Sequence, residues 1–189
     1  MEFSDDIGLG ARLKALRQER GFTLDALATG SGVSRAMISR IERGEASPTA
    51  ALLGKLCASL GVSLSGFFAG DRAAASPLSR RADQTEWRDP DSGYVRRNVS
   101  PRLPDSVLEV VDVTFPPGER VRFDNPWVSR PTEQIVWVLD GELEMTVGDT
   151  VHRLGTGDSL HMRLDRPVAY HNPGDRPVRY AVVLAASTP

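Results

Sequence analysis

Cysteine is almost absent from this sequence, in which Cys57 is the only one among 189 residues. A lone cysteine excludes an internal disulfide framework and any zinc site built from several cysteines. Because Cys57 lies among leucines at positions 52, 53, 56 and 60, we expect it to be a buried core residue. The lack of disulfides is typical of a reducing compartment.

Long apolar runs are also missing. No segment approaches the ~20 apolar residues of a membrane helix, and the segment MEFSDDIGLG lacks the basic and apolar regions of a signal peptide. Together with the scarcity of cysteine, these features predict a cytoplasmic protein with no membrane partner.

The net charge of -2 is too small for a protein that is basic throughout. The charges are unevenly distributed, however, because residues 12–55 carry eight Lys or Arg against four Asp or Glu, a balance of +4. Residues 73–189 carry fourteen against seventeen, a balance of -3. A local excess of positive charge is typical of a nucleic-acid-binding segment, so residues 12–55 are the candidate.

The spacing of apolar residues changes along the chain and divides it in two. Over residues 7–69 the spacing is helical and predicts five short helices, and over residues 86–186 it has a period of two. Many short strands separated by turns such as Asp140-Gly141 predict a sandwich or small barrel. Residues 70–85 show no periodic apolar face and are predicted to be a linker. We therefore predict a multi-domain α plus β protein.

The segment 31-SGVSRAMISRIERG-44 has the pattern of a helix-turn-helix. Ala28 stands where two helices would cross, Gly32 in the turn, and Ile38 and Ile41 on the second helix, at spacings of four, six and three residues. With both isoleucines directed inward, the opposite face of that helix is left free to enter the major groove of DNA.

The outward face of this helix carries the predicted DNA contacts. The predicted base-reading residues are Arg35, Ala36, Ser39 and Arg40. Thr23 and Ser34, at helix N-termini, and Arg43 are predicted to contact phosphates. A surface arginine is ordinarily only solvated, but the complete motif and the local positive charge favour contact with DNA.

Residues 12–66 resemble the DNA-binding domain of the lambda-repressor/Cro (XRE) type, most specifically through 38-ISRIERG-44 and the SPT that follows. The resemblance implies a five-helix domain in which Arg17 pairs with Glu42, bracing the first helix against the third. The chain departs from the pattern at Leu24, where many relatives have glutamine.

Residues 86–186 resemble the cupin domain through PPGE, VWVLDGELEM, LGTGDSL and HNPGDRPV. An XRE-type domain followed by a small cupin is similar to a family of bacterial transcription regulators. The resemblance implies a regulator with a cupin sensor domain, built from an N-terminal domain at 7–69, a linker at 70–85 and a C-terminal all-β domain at 86–186.

Many cupins are enzymes that hold a metal with three histidines and a glutamate. The corresponding positions here are Val128, Arg130, Gln134 and Val168, and none of these side chains suits a metal. Glu133 is one residue away from Gln134, which in a strand directs it to the opposite face. We therefore predict no metal, no other cofactor and no enzymatic activity.

The former metal position is also the candidate ligand site. A guanidinium at Arg130 beside the amide of Gln134 and the phenol of Tyr170 suits a small carboxylate or another oxyanion, with Val128 completing the set. Alternatively, Arg130 lies in solvent or pairs internally with an acidic residue.

A single helix-turn-helix reads only about 4 to 6 base pairs, so such domains act in pairs on sites one turn (~34 Å) apart. The predicted partners are therefore a second copy of the chain, a palindromic operator in double-stranded DNA, and a small-molecule effector. Two alternatives remain: a metal-dependent cupin oxygenase or isomerase with a DNA-binding appendage, and an antitoxin-like autoregulator.

Overall fold

The computed structural model describes residues 6–69, 76–101, 103, 106–124 and 132–186. Over these residues, five α-helices precede ten strands, as the change of apolar period predicts, and a short 3-10 helix at Arg81–Asp83 lies between them. The helices are α1 Asp6–Glu19, α2 Leu24–Ser31, α3 Arg35–Glu42, α4 Ala50–Ser59 and α5 Leu64–Ala69. The strands are β1 Glu86–Arg88, β2 Val95–Asn98, β3 Leu108–Phe115, β4 Arg120–Phe123, β5 Thr132–Asp140, β6 Leu143–Val147, β7 Thr150–Leu154, β8 Ser159–Arg163, β9 Val168–His171 and β10 Val178–Ala186.

Side-chain caps fix where four of the helices begin. The hydroxyl oxygens of Thr23, Ser34, Thr49 and Ser63 each accept a hydrogen bond from the backbone N–H three residues later, at 3.0, 3.2, 3.3 and 2.8 Å. Such a cap satisfies one of the free N–H groups at a helix start. Gly32 ends α2 in the left-handed conformation with φ of 68°, which side-chain-bearing residues adopt only at a cost.

The helical domain is built around the inner faces of its helices. Leu13 of α1, Leu27 of α2, Ile38 and Ile41 of α3 and Leu53 of α4 are fully buried. Burial of each such side chain stabilises the fold by roughly 1.5–3 kcal/mol. Because both isoleucines of α3 are anchored in this core, α3 presents a fixed opposite face to the outside.

The β domain consists of two antiparallel sheets that enclose one core. The larger has the strand order β1-β2-β3-β10-β5-β8 and the smaller β4-β9-β6-β7. Burial alternates along β5, so that Gln134 and Val136 face the core whereas Glu133 and Ile135 face outward. This confirms that Glu133 lies on the face opposite to Gln134. The architecture is the two-sheet cupin barrel that the sequence resemblance implies.

Helices α4 and α5 pack against β2, β3 and β4 of the barrel. The N–H of Ala50, at the start of α4, donates to Asp89 Oδ1 at 2.7 Å, and the hydroxyl of Ser63, before α5, donates to Glu109 Oε2 at 3.3 Å. The rings of Phe68 and Trp87 lie 5.1 Å apart. The two domains therefore share a contact made of hydrogen bonds and aromatic packing.

No helix among the described residues is both long enough and apolar enough to cross a membrane.

Candidate functional site

Helix α3 has the geometry of a recognition helix. Ile38 and Ile41 are buried in the helical core, while Arg35, Ala36 and Arg40 are exposed on the opposite face. Met37 is half-buried and packs against the core, which places it at the edge of that face. The exposed face is the surface that a major groove would accept.

The two outward arginines are held only by weak contacts. Arg35 Nε lies 3.2 Å from Asp25 Oδ1, but the side chains are 64% and 78% exposed. Arg40 Nη2 lies 3.5 Å from the carbonyl oxygen of Glu45. An exposed ion pair contributes roughly 0–1 kcal/mol, and the contact of Arg40 is long for a hydrogen bond, so both guanidiniums are available to DNA at little cost.

Arg43 is held more firmly, and the residue that holds it was missed by the sequence analysis. Its Nε and Nη2 donate to the two carboxylate oxygens of Glu45 at 2.6 and 2.7 Å, and its Nη1 donates to the hydroxyl of Ser39. The hydrogen bond from Arg43 lowers the pKa of Glu45 below its ordinary value. Ser39, a predicted base reader, and Arg43, a predicted phosphate contact, therefore bind each other in this conformation.

Thr23 and Ser34, the other predicted phosphate contacts, are exposed caps at the starts of α2 and α3. Each hydroxyl oxygen accepts from a backbone N–H, which leaves its own proton free to donate. An anion at either position would also meet the positive end of a helix.

The pairing of Arg17 with Glu42 is confirmed. Arg17 Nε and Nη2 donate to the two oxygens of Glu42 at 2.6 and 2.8 Å, and Nη1 donates to the carbonyl oxygen of Phe22 at 2.9 Å. The hydrogen bonds with Glu42 raise the pKa of Arg17. The pair is buried and joins α1 to the last residue of α3.

The predicted ligand residues are only partly within the described residues. Val128 and Arg130 lie outside them. Gln134 Nε2 donates to the hydroxyl oxygen of Tyr170 at 2.6 Å, and both side chains are buried beside Val168. Burial raises the pKa of Tyr170 to about 12, so the phenol is neutral in this position.

The donor set at this place does not fit a cupin metal. An amide and an aliphatic side chain, Gln134 and Val168, occupy two of the four ligand positions, and neither is a ligand that transition metals prefer. Across the part of the chain that the structure describes, no group of three His, Cys, Asp or Glu side chains is arranged to hold a metal ion. No metal-dependent step can be assigned to these residues.

A cavity of about 660 Å³ extends from the barrel interior to the helical domain. Gln134 and Tyr170 lie in its wall together with aromatic and aliphatic barrel residues. Its helical side is formed by residues of α1 and the turn after it, of α4, of α5 and of the turn between α4 and α5. The barrel residues that line it include Val111, Val113, Phe115, Val121, Tyr180 and Leu184.

The cavity contains a cation that the sequence analysis did not single out. Arg96 of β2 lines the cavity and is only 6% exposed. Its guanidinium carbon lies 4.9 Å from the ring centroid of Phe68 in α5. Burial lowers the pKa of Arg96, and the hydroxyl of Tyr94 forms a hydrogen bond with it.

The signal for Arg96 was present in the sequence. The strand segment 95-VRRN-98 contains two adjacent arginines, and neighbouring residues of a strand face opposite sides of the sheet. One of the two must therefore face the core. Arg97, on the other side of the sheet, pairs with Asp112 and Glu86.

A helix-turn-helix with an exposed cationic recognition face, joined to a cupin barrel with an internal cavity, defines a DNA-binding regulator. The helix-turn-helix family matches residues 13–67, and the cupin domain family matches residues 111–184. The chain belongs to the XRE-type transcriptional regulators that carry a C-terminal cupin domain.

The relatives agree with this assignment over most of their length. The HTH-type transcriptional regulator SutR of Escherichia coli is 30% identical over 172 residues, which cover 91% of each chain. The crystal structure of an HTH_3 family transcriptional regulator from Vibrio cholerae is 28% identical and superposes with a TM-score of 0.79 over 97% of each chain. The iron(II) form of HppE, at 19% identity and a TM-score of 0.50, shares the fold alone.

Proposed function

We propose that this regulator binds a palindromic operator as a homodimer, and that its cupin domain is a sensor for a small anionic effector without catalytic activity. Residues 7–69 carry DNA binding, residues 86–186 carry dimerisation and effector binding, and residues 70–85 link them. The observation that carries the proposal is the burial of Ile38 and Ile41 opposite the exposed Arg35 and Arg40.

The assigned roles follow from the chemistry of each side chain. Arg35 and Arg40 can each donate two hydrogen bonds to one guanine, Ala36 can contact a thymine methyl group, and Ser39 can bond to a base edge once Arg43 is released. Thr23, Ser34 and Arg43 neutralise or hydrogen-bond phosphates and so position α3 in the groove.

The outer face of the larger sheet supports the homodimer. Ile135 and Trp137 of β5 point away from the core and are 40% and 49% exposed, and Leu108 of β3 is 56% exposed. Val183 of β10 pairs with Ile135 and joins these side chains into one apolar strip across three strands. A contiguous exposed strip of this kind is typical of a subunit interface. A two-fold axis through it would give the dimer two symmetry-related recognition helices, which a palindromic operator requires.

The side chains of the cavity wall support a sensor without catalytic activity. Gln134 and Val168 replace metal ligands, and the buried phenol of Tyr170 is neutral and bonded to Gln134. The volume of the cavity lies in the range of about 300–1,000 Å³ that is typical of small-molecule sites, and its apolar wall carries few polar groups. Those features serve binding rather than bond cleavage.

Footprinting of the purified protein on genomic DNA tests the proposal, and the affinity of the protein for the recovered sites is then measured. We expect discrete protected palindromes, and we expect Arg35→Ala to lose them. Arg153→Ala, on the exposed surface of β7, is the matched control and retains them. Uniform protection without preferred sites would overturn sequence-specific regulation.

Dimerisation is tested by sedimentation. Trp137→Asp places a charge on the apolar strip and is expected to yield monomers that bind the palindrome weakly. Val151→Asp introduces the same charge at an exposed valine of β7, outside the strip, and is expected to remain dimeric. If Trp137→Asp stays dimeric, the larger sheet is not the interface.

A further inference from the structure

The cavity belongs to both domains. Gly54 and Cys57 of α4 and Ser63 and Gly66 at α5 line one side of it, and strands of the barrel line the other. Phe123 of β4 sits so close to α4 that a side-chain carbon on Gly54 would lie 3.0 Å from its ring. A ligand that fills this cavity therefore touches the DNA-binding domain and the sensor domain at once.

Arg96 stands at this boundary and remains charged, because a guanidinium keeps its proton even when its pKa is lowered. Its neighbours are the ring of Phe68, the hydroxyl of Tyr94 and, by its charge, Glu109. A buried cation gains strongly from an anion that is brought into the same low-dielectric space.

The charges and side chains that line the cavity limit the class of ligand that it can bind. Arg12, Arg20 and Arg96 line it against Glu19 and Glu109, which leaves a net charge of +1 among the lining residues. Apart from Thr132 and Gln134, the rest of the barrel side is aliphatic or aromatic, with Tyr170 and Tyr180 stacked at 5.8 Å. A monoanion with an apolar body matches both the charge and the wall.

We infer that the effector is a small organic carboxylate with an apolar or aromatic body, that Arg96 binds its carboxylate, and that this contact couples the sensor to the DNA-binding domain. The inference rests on the proposed function, since it names the ligand class and the regulation of the same cavity. It assigns an anion-binding role to Arg96, and the role predicted for Arg130, which lies outside the described residues, stays a prediction.

The coupling between the two domains follows from the contacts that Arg96 makes in this structure. Its guanidinium faces Phe68 of α5, and Glu109, whose charge acts on Arg96, accepts a hydrogen bond from the Ser63 cap of α5. A carboxylate on Arg96 neutralises the cation and so weakens its attraction to the Phe68 ring and to Glu109. The contact that holds α5 on the barrel is thereby altered, and α3 is carried on the same helical core as α5.

The test uses benzoate and hexanoate as probes and their neutral amides, benzamide and hexanamide, as controls. Calorimetry on the full chain without DNA is expected to show saturable binding of the acids and none of the amides. Arg96→Met removes the charge and keeps an apolar stem of similar length beside Phe68. We expect this variant, whose folding is checked by its unfolding temperature, to lose at least tenfold in affinity for the acids.

A matched variant controls for the loss of an arginine elsewhere on the barrel. Arg122→Ala removes an exposed arginine of β4 and is expected to bind the acids unchanged. Saturating acid is expected to change the affinity of the unaltered protein for its operator by about 2-fold to 30-fold, which is the range that one cation–π contact carries. The operator affinity of Arg96→Met is expected to stay the same when the acid is added.

Equal binding of acids and amides, unchanged binding by Arg96→Met, or the absence of saturable binding of either acid would each overturn the ligand assignment. Acid binding without any change in operator affinity would overturn the coupling. Both results leave DNA binding by the ligand-free protein intact, whereas failure of the proposed function removes operator binding itself.

Discussion

Arg17 and Glu42 form a two-hydrogen-bond ion pair that fixes the recognition helix from behind. The pair joins α1 to the last residue of α3, and Arg17 also donates to the carbonyl oxygen of Phe22. The orientation of α3 therefore depends on a polar brace as well as on its two buried isoleucines. A brace of this kind aligns side chains that have to meet base edges within a few tenths of an ångström.

Arg17→Met is expected to destabilise the helical domain by about 3 kcal/mol, because removal of one partner leaves a buried carboxylate uncompensated. Urea denaturation measures the loss. The double variant Arg17→Met/Glu42→Gln is expected to recover part of it, since both charges are then gone. A loss by Arg17→Met that the second substitution does not reduce would show that the packing of Arg17, and not the pair, carries the stability.

Arg40→Ala and Arg43→Ala are expected to weaken DNA binding in different ways. Loss of Arg40 should cost ~1–3 kcal/mol on the cognate site and relax base preference at one position, whereas loss of Arg43 should weaken all sequences alike and reduce the salt slope by about one. Titrations on the operator and on random DNA at several salt concentrations distinguish the two. Equal losses on both DNAs for both variants would contradict these roles.

Glu45→Gln is expected to strengthen DNA binding to every sequence, because Glu45 holds Arg43 with two hydrogen bonds and places a negative charge beside the phosphates. The gain should disappear in the background of Arg43→Ala if it acts through that arginine. Fluorescence anisotropy with short duplexes measures both. A gain in DNA affinity that persists without Arg43 would indicate that the substitution acts by removing charge repulsion between Glu45 and DNA.

Asp112 is expected to make the stability of the β domain depend on acid pH. Burial raises its pKa, but the hydrogen bonds and charges of Arg179 and Arg97 outweigh this effect and hold the pKa below the ordinary 3.8. The stabilisation is therefore fully present above the unfolded pKa and is lost as the pH falls through the lower folded value. Denaturation curves should show Asp112→Asn less stable than the unaltered chain at about pH 6, with the difference shrinking below about pH 3.8. A difference that is constant over this range would contradict the linkage.

Much of the helical domain was predictable from local sequence. Caps such as Thr23 and Ser34 depend only on the next three residues, and the inward direction of Ile38 and Ile41 follows from helical spacing alone. The contact between Arg43 and Glu45 was not predictable in this way, because two long exposed side chains have many rotamers and no period marks their choice.

The barrel side of the site was predictable only in part. Strand alternation correctly directed Gln134 inward and Glu133 outward, and it brought Gln134 and Tyr170 into contact. Strand alternation also requires one of the two adjacent arginines of β2 to face inward, but the contact of Arg96 with Phe68 depends on how α5 packs against β2, nearly thirty residues away, which no local pattern encodes. The part that Arg130 plays stays a prediction.

The place of β10 in the larger sheet has a consequence for how the chain is made. This strand follows the other nine in sequence, yet it lies in the middle of the sheet between β3 and β5. During synthesis on the ribosome, β3 can pair only with β2 and β5 only with β8 until β10 emerges and joins the two halves of the sheet, whereas the internal contacts of the helical domain are available long before. A nascent chain therefore acquires its recognition helix well before its β domain is complete.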